Sequence, residues 1–119
     1  MDYMQSTTSS NNGFLSVKTV KGLEFIPYVE IIFIKADHKY TQIYLKNQLQ
    51  PAKVFVSITF LDKVLPPDSF FRCHRSYIIN MQHRRVLGKN RDILLTGNHT
   101  VPISDERMSE FINRTAKLG

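Results

Sequence analysis

The chain has 119 residues, of which sixteen are basic and ten acidic, so its formal net charge is +6. This length allows one domain. The single cysteine, Cys73, excludes a disulfide framework and fits a reducing cytoplasm. No apolar run reaches the roughly 18 residues of a membrane span, and no signal-peptide pattern opens the chain. We therefore expect a cytoplasmic domain with acidic partners and no membrane association.

The first residues are polar. Residues 5–13 contain no apolar side chain that could be buried in a core. We therefore expect residues 1–13 to be a flexible leader or linker and residues 14–119 to be the folded domain. Such a leader would either join another module upstream or be a frayed terminus.

Period-2 alternation and apolar runs predict β-strands in the first half of the domain. Residues 14–28 indicate a hairpin around a turn at Lys21-Gly22. Residues 29–34 are typical of a buried strand, and residues 40–47 of a half-buried one. A charged turn is predicted between these two strands, and Val54-Phe55-Val56 is predicted to be a further short strand.

Two segments have helical spacing of their apolar residues. Residues 57–65 place three apolar side chains on one face, with Ser57 as the N-cap and Pro66 as the stop. Residues 105–117 form the second predicted helix, with Ser104 as its cap. Its predicted docking face is made of Met108, Phe111, Ile112 and Thr115.

The segment between these helices again predicts strands. Residues 70–74 and 77–80 are extended, residues 86–95 form a hairpin around the turn at 88–91, and residues 100–103 form a short strand. The predicted fold is therefore mainly β, with two short helices.

The basic residues are concentrated in one interval. Residues 69–91 contain no acidic residue. They contain six basic residues, a number equal to the net charge of the whole chain: Arg72, Arg75, Arg84, Arg85, Lys89 and Arg91. Such side chains neutralise phosphates, and arginine can also make a bidentate contact to guanine. Polar turns at residues 37–40, 75–76 and 89–91 would form a single contact surface if they lie at one edge of the sheets. A nucleic acid is therefore the favoured partner.

Catalytic and metal-binding patterns are missing from the sequence. Cys73 and His74 are neighbours on a predicted strand, so they point to opposite faces and do not form a thiolate–imidazole pair. The four histidines lack the spacing of a zinc site, and there is no glycine-rich phosphate loop or nucleophile elbow. We expect no enzymatic activity, no cofactor and no metal.

The residues alone leave three classes of function open: binding of duplex DNA, binding of RNA or single strands by a β-rich module, and protein interaction. A helix-turn-helix is disfavoured because the final helix carries three acidic residues and needs its apolar face for packing. Exposed aromatic residues would favour single strands. However, Phe70, Phe71 and Tyr77 are more simply interpreted as core residues.

Residues 70–80, Phe-Phe-Arg-Cys-His-Arg-Ser-Tyr-Ile-Ile-Asn, closely resemble the central motif of the LytTR DNA-binding domain family. Residues 31–40 resemble the strand–loop element of that family, and residues 57–67 resemble its short helix. Residues 101–104 resemble the segment before its last helix. The four blocks occur in the order of the family, and the resemblance covers residues 15–111.

The resemblance implies an elongated arrangement of antiparallel sheets with short helices. It implies binding to duplex promoter DNA, often at direct repeats, by loops placed in successive major grooves. LytTR domains usually follow a phosphorylatable receiver in bacterial response regulators, so the resemblance also implies an upstream receiver. Because this chain has no room for a receiver, we interpret it as a stand-alone or an excised effector domain. A dimer on DNA is compatible with direct repeats.

The resemblance, carried over residue by residue, implies three contact segments, and Arg75 is the best candidate for a base contact. The implied contacts are His38, Lys39, Tyr40 and Thr41 in the first loop, His74, Arg75 and Ser76 in the central motif, and Ser104 and Arg107 at the start of the final helix. The charge pattern adds Lys89 and Arg91 to this set.

Three residues depart from the family pattern. Lys35 stands where an acidic residue is common, and Arg84 stands where an apolar residue is usual. Asp105 stands where the family often has a basic DNA contact, so either Arg107 takes that role or no residue does.

Overall fold

The structure, a computed structural model, describes residues 8–11 and 13–118. The two α-helices of this part are α1 (Ile58–Val64) and α2 (Asp105–Leu118). Its strands are β1 (Ser9–Asn11), β2 (Phe14–Thr19), β3 (Gly22–Pro27), β4 (Ile31–Asp37), β5 (Tyr40–Leu45), β6 (Ala52–Val54), β7 (Phe70–His74), β8 (Tyr77–Asn80), β9 (Arg84–Leu87), β10 (Asp92–Leu95) and β11 (His99–Pro102). Neither described helix is long and apolar enough to cross a membrane.

The strands form two antiparallel sheets. The larger has the order β1-β2-β6-β5-β4-β8-β7, and β3 pairs with β2 outside this order. The smaller has the order β11-β10-β9. The domain measures 41 × 30 × 28 Å along its principal axes. The prediction of a mainly β fold with antiparallel sheets and two helices is confirmed.

The centre of the larger sheet is buried on both faces. This explains why the sequence of β4, a central strand, is almost continuously apolar. A register shift between Ile31 and Phe33 interrupts the regular alternation, so that the neighbours Ile32 and Phe33 pack in the same core. Ile31 and Ile34 belong to the core beneath α1, while Ile32 and Phe33 belong to the core beneath the smaller sheet and α2. The predicted buried strand therefore separates two cores.

The central motif, like β4, contributes side chains to both cores. Phe70 and Ile78 pack beneath α1, whereas Phe71, Cys73 and Ile79 pack on the opposite side of the sheet. All five side chains are buried. The apolar residues of the motif therefore hold its intervening turn against two packed layers.

Helix α1 forms as predicted, for local reasons. The hydroxyl of Ser57 accepts a hydrogen bond from the amide of Phe60 at 3.0 Å, which satisfies one free donor of the first turn. Ile58 and Leu61 are buried against the sheet. Leu65, the C-cap, has extended backbone angles directly before Pro66.

The structure corrects the prediction of a flexible leader in part. Ser9–Asn11 is a strand that pairs with β2, with Ser9 opposite Ser16 and Asn11 opposite Phe14. Strand pairing uses backbone groups, so a segment without apolar side chains can still extend a sheet edge. Residues 1–7 and 12 lie outside the described residues.

Other boundaries differ from the prediction by a few residues. Tyr28–Glu30 is a 3-10 turn, so β4 begins later than predicted and runs through most of the predicted charged turn. Only His38 and Lys39 remain in the turn between β4 and β5. The strand predicted at residues 54–56 lies at Ala52–Val54.

The docking face of α2 differs from the prediction at Ile112. Phe111 is buried and Met108 is partly buried, but 48% of Ile112 is exposed. Arg114 lies against the sheet instead. Its guanidinium lies 5.2 Å from the centroid of the Phe71 ring and donates to the carbonyl of Pro67 at 2.8 Å. The long side chain covers apolar surface while its charged end binds backbone oxygens.

Candidate nucleic-acid interface

The turn after β4 and the turn after β7 lie at the same edge of the larger sheet. Strands β4 and β8 are antiparallel, with Lys35 opposite Tyr77, so β4 ends where β8 begins. The amide of Ala36 also donates to the carbonyl of Ser76 at 2.9 Å. This pairing brings the predicted loop around His38 beside the turn that carries Arg75.

Two further backbone hydrogen bonds attach the remaining predicted segments to this edge. The amide of Ser104 donates to the carbonyl of Cys73 at 2.9 Å, and the amide of Ile103 donates to the carbonyl of Arg91 at 3.1 Å. The start of α2 therefore lies between the central motif and the β9–β10 turn. We call the resulting surface, made of residues 38–40, 74–76, 89–91 and 104–107, the basic edge.

The charge of the basic edge is positive, with five basic side chains against two acidic ones. These are Lys39, Arg75, Lys89, Arg91 and Arg107 against Asp105 and Glu106. All seven residues are exposed. Arg84 and Arg85 belong to the same basic interval of the sequence but lie on β9 at the end away from the β9–β10 turn. The structure therefore divides the interval into an edge group, a remote pair and the half-buried Arg72 of β7.

Arg75 and Ser76 connect β7 to β8 in a tight turn that is stabilised by its neighbours. The amide of Ser76 donates to Nδ1 of His74 at 3.0 Å, so the neutral ring carries its proton on Nε2. The His74 ring also packs edge-on against Tyr77, with centroids 5.6 Å apart. Arg75 is exposed, and its side chain is free to face a ligand.

The first loop is also sharply turned. His38 has a φ of 51°, in the left-handed region that few residues with a Cβ adopt, although histidine is among the more frequent ones. Together with Lys39 it forms a two-residue connection between Asp37 and Tyr40, which are paired. Short connections of this kind leave both side chains exposed at the tip.

Thr41 is a correction to the predicted contact set. It is 1% exposed, and its hydroxyl donates to the carbonyl of Val56 at 2.6 Å. Because successive side chains of a strand alternate between faces, the residue after exposed Tyr40 points into the core. Ser104 is half-buried, and its hydroxyl lies 3.5 Å from the Cys73 carbonyl, so it also serves the fold.

Two ion pairs lie at the start of α2. Asp105 pairs with Arg91 of the β9–β10 turn, and their side chains are 76% and 60% exposed. Arg107 lies 4.0 Å from Glu110 on the next helical turn and is exposed as well. Asp105, which departs from the family pattern, is therefore the partner of a predicted contact residue.

Sequence reasoning missed Phe55, which pairs with Tyr40 of the basic edge. Tyr40 and Phe55 are 38% and 47% exposed, and their rings meet edge-on at 5.6 Å. Nζ of Lys53 lies 5.5 Å from the centroid of the Tyr40 ring. The signal in the sequence was the alternation around Phe55, which places it on the face opposite to Val54.

Cys73, the one thiol of the chain, directly precedes His74 of the basic edge. Cys73 is fully buried, and burial raises the pKa of its thiol to about 12, although Arg107 acts in the opposite direction. The thiol is therefore protonated at neutral pH and unreactive. Among the described residues, no group of three or more His, Cys, Asp or Glu side chains is placed to hold a metal ion.

Residues 21–115 match the family model described as the LytTr DNA-binding domain. The transcriptional regulatory proteins YpdB of Escherichia coli K12 and Shigella flexneri are each 27% identical over an alignment of 117 residues that covers 89% of this chain. The chain spans 45% of the length of these curated relatives.

The fold is similar to a solved LytTr DNA-binding domain from Bacillus cereus, with a TM-score of 0.73 and 24% sequence identity. The similarity covers 88% of this chain and 98% of that one. The family model covers most of the chain, from the β2–β3 turn to the last helix, and the chain therefore belongs to the LytTR DNA-binding domain family.

Proposed function

We propose that this domain binds a specific site in duplex DNA through the basic edge, as the effector domain of a bacterial transcriptional regulator, and carries out no catalysis. The observation that supports the proposal most directly is the convergence of four separate polar segments on one edge. Hydrogen bonds between backbone groups join them, so the surface is already organised before it meets DNA. A preorganised surface loses little conformational entropy on binding.

The turns of the basic edge have shapes suited to a groove. The tips at His38-Lys39 and Arg75-Ser76 are two residues wide, while the major groove is about 12 Å wide. In the proposal Arg75 enters the major groove and contacts a base. Lys39, Lys89 and Arg107 contact phosphates, which position the domain but carry no sequence information.

The architecture of the binding site is also part of the proposal. The relatives are named transcriptional regulatory proteins, and this chain spans less than half of their length. We propose that the domain works behind an upstream receiver and binds direct repeats as two copies. Two copies on one face of the duplex require repeats separated by multiples of about 10–10.5 base pairs.

Selection from a pool of random duplexes, followed by fluorescence anisotropy with the enriched duplex, tests the proposal. We expect an enriched repeat, and a fall in affinity with salt whose logarithmic slope is about −0.9 for each phosphate contact. Failure to enrich any sequence would contradict specific reading, and a flat salt response would contradict the electrostatic part.

Binding of RNA or single strands is the second candidate, and the exposed pair of Tyr40 and Phe55 favours it, because bases stack on exposed aromatic rings. The aromatic residues of the central motif do not, since Phe70 and Phe71 are buried. Competition between a duplex and its single strands decides between the candidates. A protein-interaction module, the third alternative, would bind neither.

A further inference from the structure

Arg72 joins helix α1 to the turn that carries Arg75. It lies on β7 and is half-buried. Its Nη2 donates to the carbonyl of Arg75 at 2.5 Å, and its Nη1 donates to the hydroxyl oxygen of Thr59 on α1 at 3.2 Å. The two branches of one guanidinium therefore bind two different elements.

The contact with the Arg75 carbonyl supplements the other bonds of this turn. The neighbouring residue Ser76 is held on both sides, by Nδ1 of His74 and by the amide of Ala36. The carbonyl of Arg75 is held by the charged donor of Arg72. A hydrogen bond from an ionised donor is roughly twice as strong as a neutral one. Arg72 thus restrains the backbone from which the Arg75 side chain projects.

The placement of Arg72 also separates it from the phosphate-contact candidates. Its Nε atom is buried and has no hydrogen-bond partner among the described residues. Its two terminal nitrogens are bound within the domain. Both terminal nitrogens of the guanidinium therefore donate hydrogen bonds within the domain, whereas the side chains of Lys39 and Lys89 are exposed.

We propose that Arg72 is a positioning residue: it sets the direction of Arg75 by holding the Arg75 carbonyl against α1, and it contributes to DNA specificity without touching DNA. The inference rests on the proposed function, in which Arg75 contacts a base. It requires the planar fork of arginine, because a single ammonium group cannot reproduce two donors fixed in different directions.

The test uses the variant Arg72→Lys, which keeps the charge and removes the fork. The affinities for the selected duplex and for a random duplex are measured by anisotropy across a salt series. We expect the ratio of the two affinities to fall at least about fivefold, the lower end of one base contact, with an unchanged salt slope. Arg85→Lys, on exposed β9, is the matched control and should leave the ratio unchanged.

Two further variants distinguish positioning of Arg75 from a direct contact between Arg72 and DNA. In the Arg75→Ala background, Arg72→Lys should have no further effect on the ratio, because the residue through which it acts is gone. Thr59→Val removes the hydroxyl that accepts from Arg72. Because Thr59 is exposed, we expect the fold to be retained. The ratio of the affinities for the selected and the random duplex should fall, as in Arg72→Lys.

Several results would overturn the inference. An equal loss of affinity on both duplexes would make Arg72 a phosphate contact. Additive losses in the double variant, or an unchanged ratio in Arg72→Lys, would show that Arg72 does not act through Arg75. If the wild-type chain itself does not prefer the selected duplex, the proposed function fails; if it does, only the role of Arg72 is in question.

Discussion

The carboxylate of Asp105 and the guanidinium of Arg91 form an ion pair between the start of α2 and the β9–β10 turn. The same two elements are connected by the hydrogen bond from the Ile103 amide to the Arg91 carbonyl. Arg91 also has a φ of 59°, a left-handed conformation that shapes the end of the turn. An acidic residue at the proposed DNA-binding surface thus neutralises one of the basic residues beside it.

Asp105→Asn should increase the affinity for random duplex DNA. Removing a negative charge from the basic edge lowers its repulsion of phosphates and frees Arg91 to contact one. We expect a gain of a few-fold at low salt and a steeper salt slope, measured by anisotropy. Because the pair is mostly exposed, the free energy of unfolding should change by no more than about 1 kcal/mol.

Glu30→Gln is the matched control for Asp105→Asn, because it removes the same charge from the exposed 3-10 turn that precedes β4, at the opposite end of that strand. It should change the affinity much less. Loss of affinity in Asp105→Asn would show instead that the ion pair holds Arg91 in its binding position.

Arg75→Ala should weaken binding to the selected duplex by about 1–3 kcal/mol and binding to random DNA much less, because a base contact is lost. Anisotropy with both duplexes measures the difference. Arg85→Ala, which removes another exposed arginine from β9, is the control. An equal loss on both duplexes would assign Arg75 to a phosphate.

Lys39→Ala should weaken binding to the selected and the random duplex by equal factors, since a phosphate contact is independent of sequence. The salt slope should become less steep by about 0.9. Lys46→Ala removes the same charge after β5, at the end away from the basic edge, and should leave the slope unchanged. A loss confined to the selected duplex would make Lys39 a base contact.

Cys73 should make stability depend on pH in the alkaline range. Burial raises the pKa of its thiol in the folded state to about 12, from an ordinary value of 9.0. Between these values the unfolded chain loses the proton first, so the stabilising contribution is complete below about pH 9 and is lost as pH rises towards 12.

The comparison with Cys73→Ala isolates this thiol from the other groups that titrate at high pH. Urea denaturation should show that the stability advantage of the wild type shrinks by about 1–2 kcal/mol between pH 8 and about pH 10.5. An advantage that stays constant over this range would contradict the raised pKa.

Asn80 should be important for stability and not for DNA contact. It is 1% exposed, its Nδ2 donates to the carbonyls of Tyr28 and Ile31 at 3.0 and 2.9 Å, and its Oδ1 accepts from the amide of Gln82. Asn80→Ala leaves these groups without partners and should cost about 2–4 kcal/mol in urea denaturation. Gln82→Ala, at an exposed position, should cost less than about 0.5 kcal/mol.

Much of the fold could be predicted because its signals are local. The Ser57 cap, the apolar spacing after it and the proline stop together specify α1 without reference to the rest of the chain. The hairpin of β2 and β3 and the alternation of β5 were likewise visible. One error occurred at Ser9–Asn11, where backbone pairing alone makes the segment a strand. Another occurred at Ile112, because the packing partner of a helix decides which of its apolar residues are buried.

The sequence could indicate candidate contact residues, but it could not decide which of them are exposed at the site. Residue type and the family motif indicated Arg75 and Lys39, and both are exposed at the basic edge. Thr41 was indicated equally and is buried, because its position within β5 directs it inward. The role of Arg72 depends on a contact with Thr59, 13 residues away, which spacing cannot reveal.

The sequence by itself determined the family, the mainly β character and the presence of a basic interval, since these follow from motif, periodicity and composition. Only the tertiary structure decided which basic residues act together. Strand pairing between β4 and β8 brings Arg75 to Lys39, while β9 carries Arg85 away from both. The electrostatic interaction between two exposed charges weakens with the distance between them, and the fold sets that distance. The antiparallel register of the strands decides which turns lie at the same edge of the sheet.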